Sequence, residues 1–194
     1  MKSVRIVLWA AVVVAAGIAT WLALGKGTDL AATRLGTNFE LVTDEGAKIT
    51  EKDLEGHPYL IYFGFTHCPE ICPTTLAESS AWLERLGDKG RDLKVYFVTV
   101  DPERDTQEIL ESYLSSFDER IVGITGDLPE IDRLAKSFHI YYRKVPLDDG
   151  DYTMDHTASV FLMRPDGSFQ GTIAFGEDSD IAYGKIEKLL AGTS

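Results

Sequence analysis

The chain's only two cysteines stand four residues apart in Thr66-His67-Cys68-Pro69-Glu70-Ile71-Cys72-Pro73. A disulfide scaffold needs more cysteines, dispersed along the chain. A pair this close is instead a local dithiol, a short-range disulfide, or two legs of a metal site. A thiolate near a helix N-terminus is stabilised by the helix dipole and by free backbone N–H groups. Pro73 suits the first turn of a helix, so Cys72, just before it, is where that effect is expected to be largest. Disulfide exchange enzymes usually carry two residues between their cysteines, and the third one here widens the loop. Two thiolates are soft ligands suited to Cu(I), and one imidazole would complete a trigonal set; Cu(II) would want a further ligand. The same donors also suit Zn(II).

Four histidines compete for the third position. His57, between Gly56 and Pro58, reads as a surface-loop residue. His67 adjoins Cys68, but its side chain is expected to diverge from the sulfur. His139 closes a predicted helix, where a cationic side chain favours the dipole and a structural role suffices. His156 precedes the apolar run Val160-Phe161-Leu162-Met163, a strand start that faces the cysteine loop in a thioredoxin-like sheet.

The elements around these residues follow from periodicity. Leu60 to Phe65 is a continuous apolar run, the pattern of a strand buried on both faces, and it leads directly into the cysteine segment. Beyond Pro73, Leu76, Trp82, Leu83 and Leu86 keep helical spacing. Lys94 to Val100 is a second buried strand, ending at Asp101-Pro102. Asp105 and Glu108 have capping-box spacing for a helix carrying Ile109, Leu110, Tyr113, Leu114 and Phe117. Ile121 to Ile124 reads as a short strand and Pro129 to Phe138 as a helix. Ser159 to Met163 and Phe169 to Ile173 flank the turn Arg164-Pro165-Asp166-Gly167, and Ile181 to Leu190 closes the chain as a helix. Near the start, Phe39, Leu41 and Val42 open a hairpin turning at Asp44-Glu45-Gly46. Together these describe an α/β protein with a βαβ unit joined to ββα, a central mixed sheet flanked by helices. That is the order of the thioredoxin-like fold, with the dithiol where a strand passes into its helix, the place where α/β sheets concentrate chemistry.

Ahead of this domain, Lys2 and Arg5 precede an uncharged run from Ile6 to Leu24. About 20 apolar residues match the ~30 Å hydrocarbon core of a bilayer, and Trp9 and Trp21 lie near its ends, where indoles favour the interface. A signal peptide has a shorter apolar region and a small-residue cleavage site. The reading is therefore residues 1–25 as a single-pass anchor, 26–34 as a tether and 35–194 as the domain. Positive charge on the short side places that domain on the periplasmic, extracytoplasmic face of the inner membrane. The formal net charge is −12, which disfavours nucleic acid as a partner.

The segment Tyr62-Phe63-Gly64-Phe65-Thr66-His67-Cys68-Pro69-Glu70-Ile71-Cys72-Pro73 resembles the signature of the Sco/SenC proteins. The likeness continues in Val98 to Thr106, in Ile124-Thr125-Gly126-Asp127 and in Asp155-His156-Thr157-Ala158. Glu70 stands where the family commonly has Asp, with the carboxylate retained. The resemblance implies copper, as Cu(I) or Cu(II), on Cys68, Cys72 and His156. It also implies a chaperone that delivers copper to, or helps mature, the CuA centre of cytochrome c oxidase subunit II, or that serves another copper-accepting protein alongside other copper chaperones. Asp127 resembles a loop residue that the family places near the site; a turn aspartate explains it equally. Met154 offers a thioether, with strand packing as its plainer role. The alternatives are a thiol–disulfide oxidoreductase using Cys68 and Cys72 as a redox pair, keeping cysteines of an exported target reduced, and a peroxide-reducing enzyme.

Overall fold

A computed structural model describes residues 34–192 other than 37 and 149, together with residue 9. Apart from residues 9 and 34, the expected anchor and tether lie outside the described residues. Among those described, no helix is long and apolar enough to cross a membrane.

The strands in chain order are β1 (Glu40–Thr43), β2 (Lys48–Thr50), β3 (Tyr59–Gly64), β4 (Lys94–Thr99), β5 (Ile121–Thr125), β6 (Tyr142–Pro146), β7 (Tyr152–His156), β8 (Ser159–Met163) and β9 (Phe169–Ala174). The helices are α1 (Ile71–Leu86), α2 (Gln107–Leu114), α3 (Leu128–Ser137) and α4 (Ser179–Ala191). Seven strands form one mixed sheet in the order β2-β1-β5-β4-β3-β8-β9. β3, β4 and β5 run parallel; β1 and β8 flank them antiparallel. The apolar runs become the interior strands because both faces are covered: β3 is buried at every position and β4 at all but the first. The result is the thioredoxin-like architecture.

Alternation along β3 assigns the faces. Tyr62 meets Phe97 of β4, and Phe97 meets Tyr113 of α2. Phe63 points the other way, into Phe138 just after α3 and Phe161 of β8. Gly64 ends β3 on the Tyr62 side. A Cβ there would lie 2.6 Å from the Phe97 ring and 2.9 Å from Cys72 Sγ, so this glycine makes the room that Cys72 occupies.

Two local expectations are corrected. The cap of α2 is Thr106, whose hydroxyl accepts the Ile109 N–H at 3.4 Å, and not Asp105. The Asp105 side chain turns inward instead and is fully buried. The stretch before β8 also holds two strands that periodicity did not single out. β6 and β7 pair antiparallel, Tyr142 opposite His156 and Pro146 opposite Tyr152, as a separate two-stranded ribbon.

The described chain begins beside the β8–β9 turn, where the Arg34 guanidinium donates to the Asp166 carbonyl at 2.7 and 2.9 Å. That turn follows Met163, the partner of Tyr59 at the start of β3. The cysteine loop follows Gly64, at the opposite end of the same strand.

Candidate metal centre

The cysteine loop is fixed by its first residue and by the helix that follows. The Thr66 N–H and hydroxyl donate to the two oxygens of Asp105 at 3.0 and 2.6 Å, and the Thr99 hydroxyl donates to the same carboxylate at 2.6 Å. The Thr125 hydroxyl donates to the Asp105 carbonyl at 2.9 Å. Asp105 therefore ties the loop to the ends of β4 and β5. Burial raises its pKa, against the lowering effect of the Thr66 and Thr99 hydrogen bonds.

Cys72 lies in the first turn of α1, where backbone N–H groups lack helical partners. Its N–H donates instead to Cys68 Sγ at 3.3 Å. The helix N-terminus thus faces the sulfur of Cys68, which corrects the expectation that Cys72 gains most from it. The Cys68 thiol is pulled down to about 4, chiefly by the hydrogen bond from the Cys72 side chain, with further help from the backbone N–H groups of Cys72 and Glu70. Cys72 moves the opposite way: its S–H is held by Cys68 and its side chain is buried, so its pKa rises. The Tyr62 hydroxyl donates to Cys72 Sγ at 3.5 Å from within the core. Neither cysteine is in a disulfide, and Cys68 is half-buried while Cys72 is buried.

His156 ends β7 and stands edge-on to the rings of Phe65 and Tyr62, at 5.8 and 6.2 Å between centroids. Its Nδ1 lies 3.1 Å from the Thr157 carbonyl. A carbonyl only accepts, so Nδ1 carries the proton and the neutral ring's lone pair is on Nε2. Nε2 lies 3.6 Å from Cys72 Sγ, and the three ligand atoms of Cys68, Cys72 and His156 all fall within 4.8 Å of one another. An ion about 2.3 Å from a sulfur and about 2.0–2.1 Å from a nitrogen, in trigonal geometry, separates those two atoms by roughly 3.8 Å. The observed gap fits an ion with little rearrangement.

Among the described residues, these three are the cluster able to hold a metal. His57 and His139 are exposed on other parts of the surface. His67 diverges as expected, half exposed, with Nδ1 3.1 Å from the Thr66 hydroxyl and 4.0 Å from Asp105. Met154 is core packing, and Asp127 is the exposed N-cap position of α3.

By sequence Asp101 is a strand-exit residue, and the structure gives it more to do. Asp101 is buried, accepts Arg104 Nε on one oxygen, and accepts the Tyr152 hydroxyl at 2.9 Å on the other. Neither the arrival of Tyr152 at this pair nor the Tyr62 contact has a spacing signature, since those partners are brought in by the fold.

Comparison with known proteins places this geometry in context. The family model described as SCO1/SenC matches residues 27–191. The chain is 41% identical over 138 residues to "Protein SCO1 homolog, mitochondrial" of Homo sapiens, covering 70% of this chain and 46% of that protein. It is 31% identical over 175 residues to "Protein SenC" of Rhodobacter capsulatus, covering 84% of this chain and 79% of that one. The chain thus spans about half the length of the human relative. Bradyrhizobium japonicum ScoI, solved with copper bound, superposes with a TM-score of 0.74 at 42% identity, over 80% of this chain and 99% of that one.

Proposed function

The chain belongs to the SCO1/SenC family, and on that premise we propose that it is a copper chaperone of cytochrome c oxidase assembly. Cys68, Cys72 and His156 hold the copper, and the CuA centre of oxidase subunit II is the recipient. The observation that carries the reading is the proton assignment on His156: with Nδ1–H on the Thr157 carbonyl, the Nε2 lone pair faces the sulfurs. An open three-ligand site lets an incoming thiolate or imidazole bind before the old ligands leave, and two thiolates favour Cu(I). Residues 1–25 serve as the membrane anchor and 26–34 as the tether, holding residues 35–194 outside the cytoplasmic membrane.

The test is a competition titration of the reduced full-length chain with Cu(I) against a chelator of known affinity. Cys68→Ala, Cys72→Ala and His156→Ala are run beside it, and Zn(II) is titrated in parallel. One-to-one binding of Cu(I) that each substitution weakens is the expected result. Binding indifferent to all three would remove the assignment. A second reading, thiol–disulfide exchange, is favoured by the unequal pair: a half-exposed Cys68 thiolate beside a protonated Cys72 is the arrangement of an attacking and a resolving thiol. Turnover of a disulfide substrate without copper would establish it.

A further inference from the structure

We propose that Arg104 is the positioning residue for His156: it clamps the β6–β7 ribbon to the end of β4 and so aims Nε2 at the two sulfurs. The proposal rests on the copper reading above. Side chains alternate along a strand, so Tyr152, Met154 and His156 share one face of β7. Each is held at a different point. Met154 is buried in the core. His156 meets the sulfurs. Tyr152, at the far end of β7, is held by Arg104.

That hold has several parts. The guanidinium stacks 3.7 Å from the Tyr152 ring centroid, and Nη1 donates to the Tyr152 carbonyl at 2.9 Å. Arg104 Nε and the Tyr152 hydroxyl share the Asp101 carboxylate. Asp101 is itself pinned to β4, since its N–H donates to the Thr99 hydroxyl at 2.9 Å. Arg104 also lies 6.0 Å from the ring of Phe65, against which His156 stands. Its Nη2 is buried without a hydrogen-bond partner, a cost to stability that a simple surface ion pair would not carry.

The ribbon is a sheet of its own, so no ladder to the main sheet fixes its roll about the strand axis. A roll that lifts Tyr152 off Arg104 also swings His156 away, because the two lie on one face. The cysteines do not share this dependence, since Asp105 and α1 hold their loop.

The experiment is a double-mutant cycle in the full-length chain. Cu(I) affinity is measured for Arg104→Ala, His156→Ala and the pair, with circular dichroism and thermal unfolding checking the fold. Arg104→Ala is expected to weaken binding at least about tenfold. In the His156→Ala background the same change should cost less than about twofold. Equal losses in both backgrounds, or no loss in either, would overturn the proposal. If Arg104→Ala does not fold, Tyr152→Phe removes one bond of the clamp and enters the same cycle, with a smaller loss that must again vanish without His156. A copper-independent readout separates this proposal from the copper reading. In the metal-free protein the His156 ring protons are shifted by Tyr62 and Phe65. Arg104→Ala, or Tyr152→Phe in its place, should move them toward free-histidine positions, and resonances that stay put would overturn the clamp whether or not copper binds.

Discussion

Cys68 and Cys72 leave an interior strand of a seven-stranded sheet, whereas His156 ends a two-stranded ribbon that pairs only with itself. The cysteine loop is held by hydrogen bonds from three threonines to Asp105 and by the first turn of α1. The ribbon is held by side chains: Met154 in the core, the Tyr142 hydroxyl on Asp132 at 3.2 Å, Lys144 on Glu103, and the Arg104 stack. The contrast assigns the two halves different duties. The dithiol is built into the frame, and on the proposed copper site the third ligand comes from an arm held by side chains alone.

The largest effect expected from this difference is in thiol reactivity. Cys68 is depressed from 9.0 to about 4 mainly by the Cys72 side chain, with the Cys72 and Glu70 N–H groups lesser causes. A depressed acid is ionised above its folded value, so the copper-free protein keeps a Cys68 thiolate at neutral pH and loses it as pH falls through about 4. Alkylation followed by mass spectrometry should label Cys68 ahead of Cys72, at a rate that halves near that pH. His156→Ala should leave the half-rate far below the ordinary value. A return of the half-rate toward 9.0 in that variant would show that the ribbon, not the frame, makes the thiolate, and the contrast would fail.

Frame substitutions should next show up in stability. Gly64→Val drives a branched side chain into Phe97 and Cys72, an overpacking expected to cost about 2–3 kcal/mol in urea unfolding. Asp105→Ala strands the Thr66 N–H and the hydroxyls of Thr66 and Thr99, for about 1–2 kcal/mol. It should also loosen the cysteine loop, read as faster alkylation of the buried Cys72. Native stability in either variant would mean the frame is softer than its hydrogen bonds imply.

The same contrast governs what the sequence discloses. β3 and β4 are legible because strands buried on both faces read as unbroken apolar runs, and the cysteines are legible because their spacing is local. The ribbon is not. Its strands are stabilised by pairs such as Arg143 opposite Asp155, joined at 2.8 Å, so they look like charged loop. His156 is legible through its place before an apolar strand and through family resemblance, not through a pattern in β7. Which cysteine is the more acidic depends on the Cys72 side chain and N–H both meeting the Cys68 sulfur, and that is set only when α1 has formed. The link from Asp101 to Tyr152 spans 51 residues, beyond any motif.

The smallest expected effect tests the ribbon's outer attachment. Lys144 Nζ lies 2.6 Å from Glu103 and 4.5 Å from the Tyr152 ring centroid, but it is 43% exposed and its partner 57%. Exposed pairs of this kind contribute about 0–1 kcal/mol. Lys144→Ala should therefore barely move the unfolding midpoint and leave Cu(I) affinity within about twofold of the native chain, since the less exposed Arg104 stack still holds Tyr152. The measurement is sharper in high salt, which screens the exposed pair and barely touches the Arg104 contacts. If Lys144→Ala weakens copper as much as Arg104→Ala, or if salt alone reproduces the Arg104→Ala loss, then rim charges orient the ribbon, and histidine presentation would track ionic strength instead of packing.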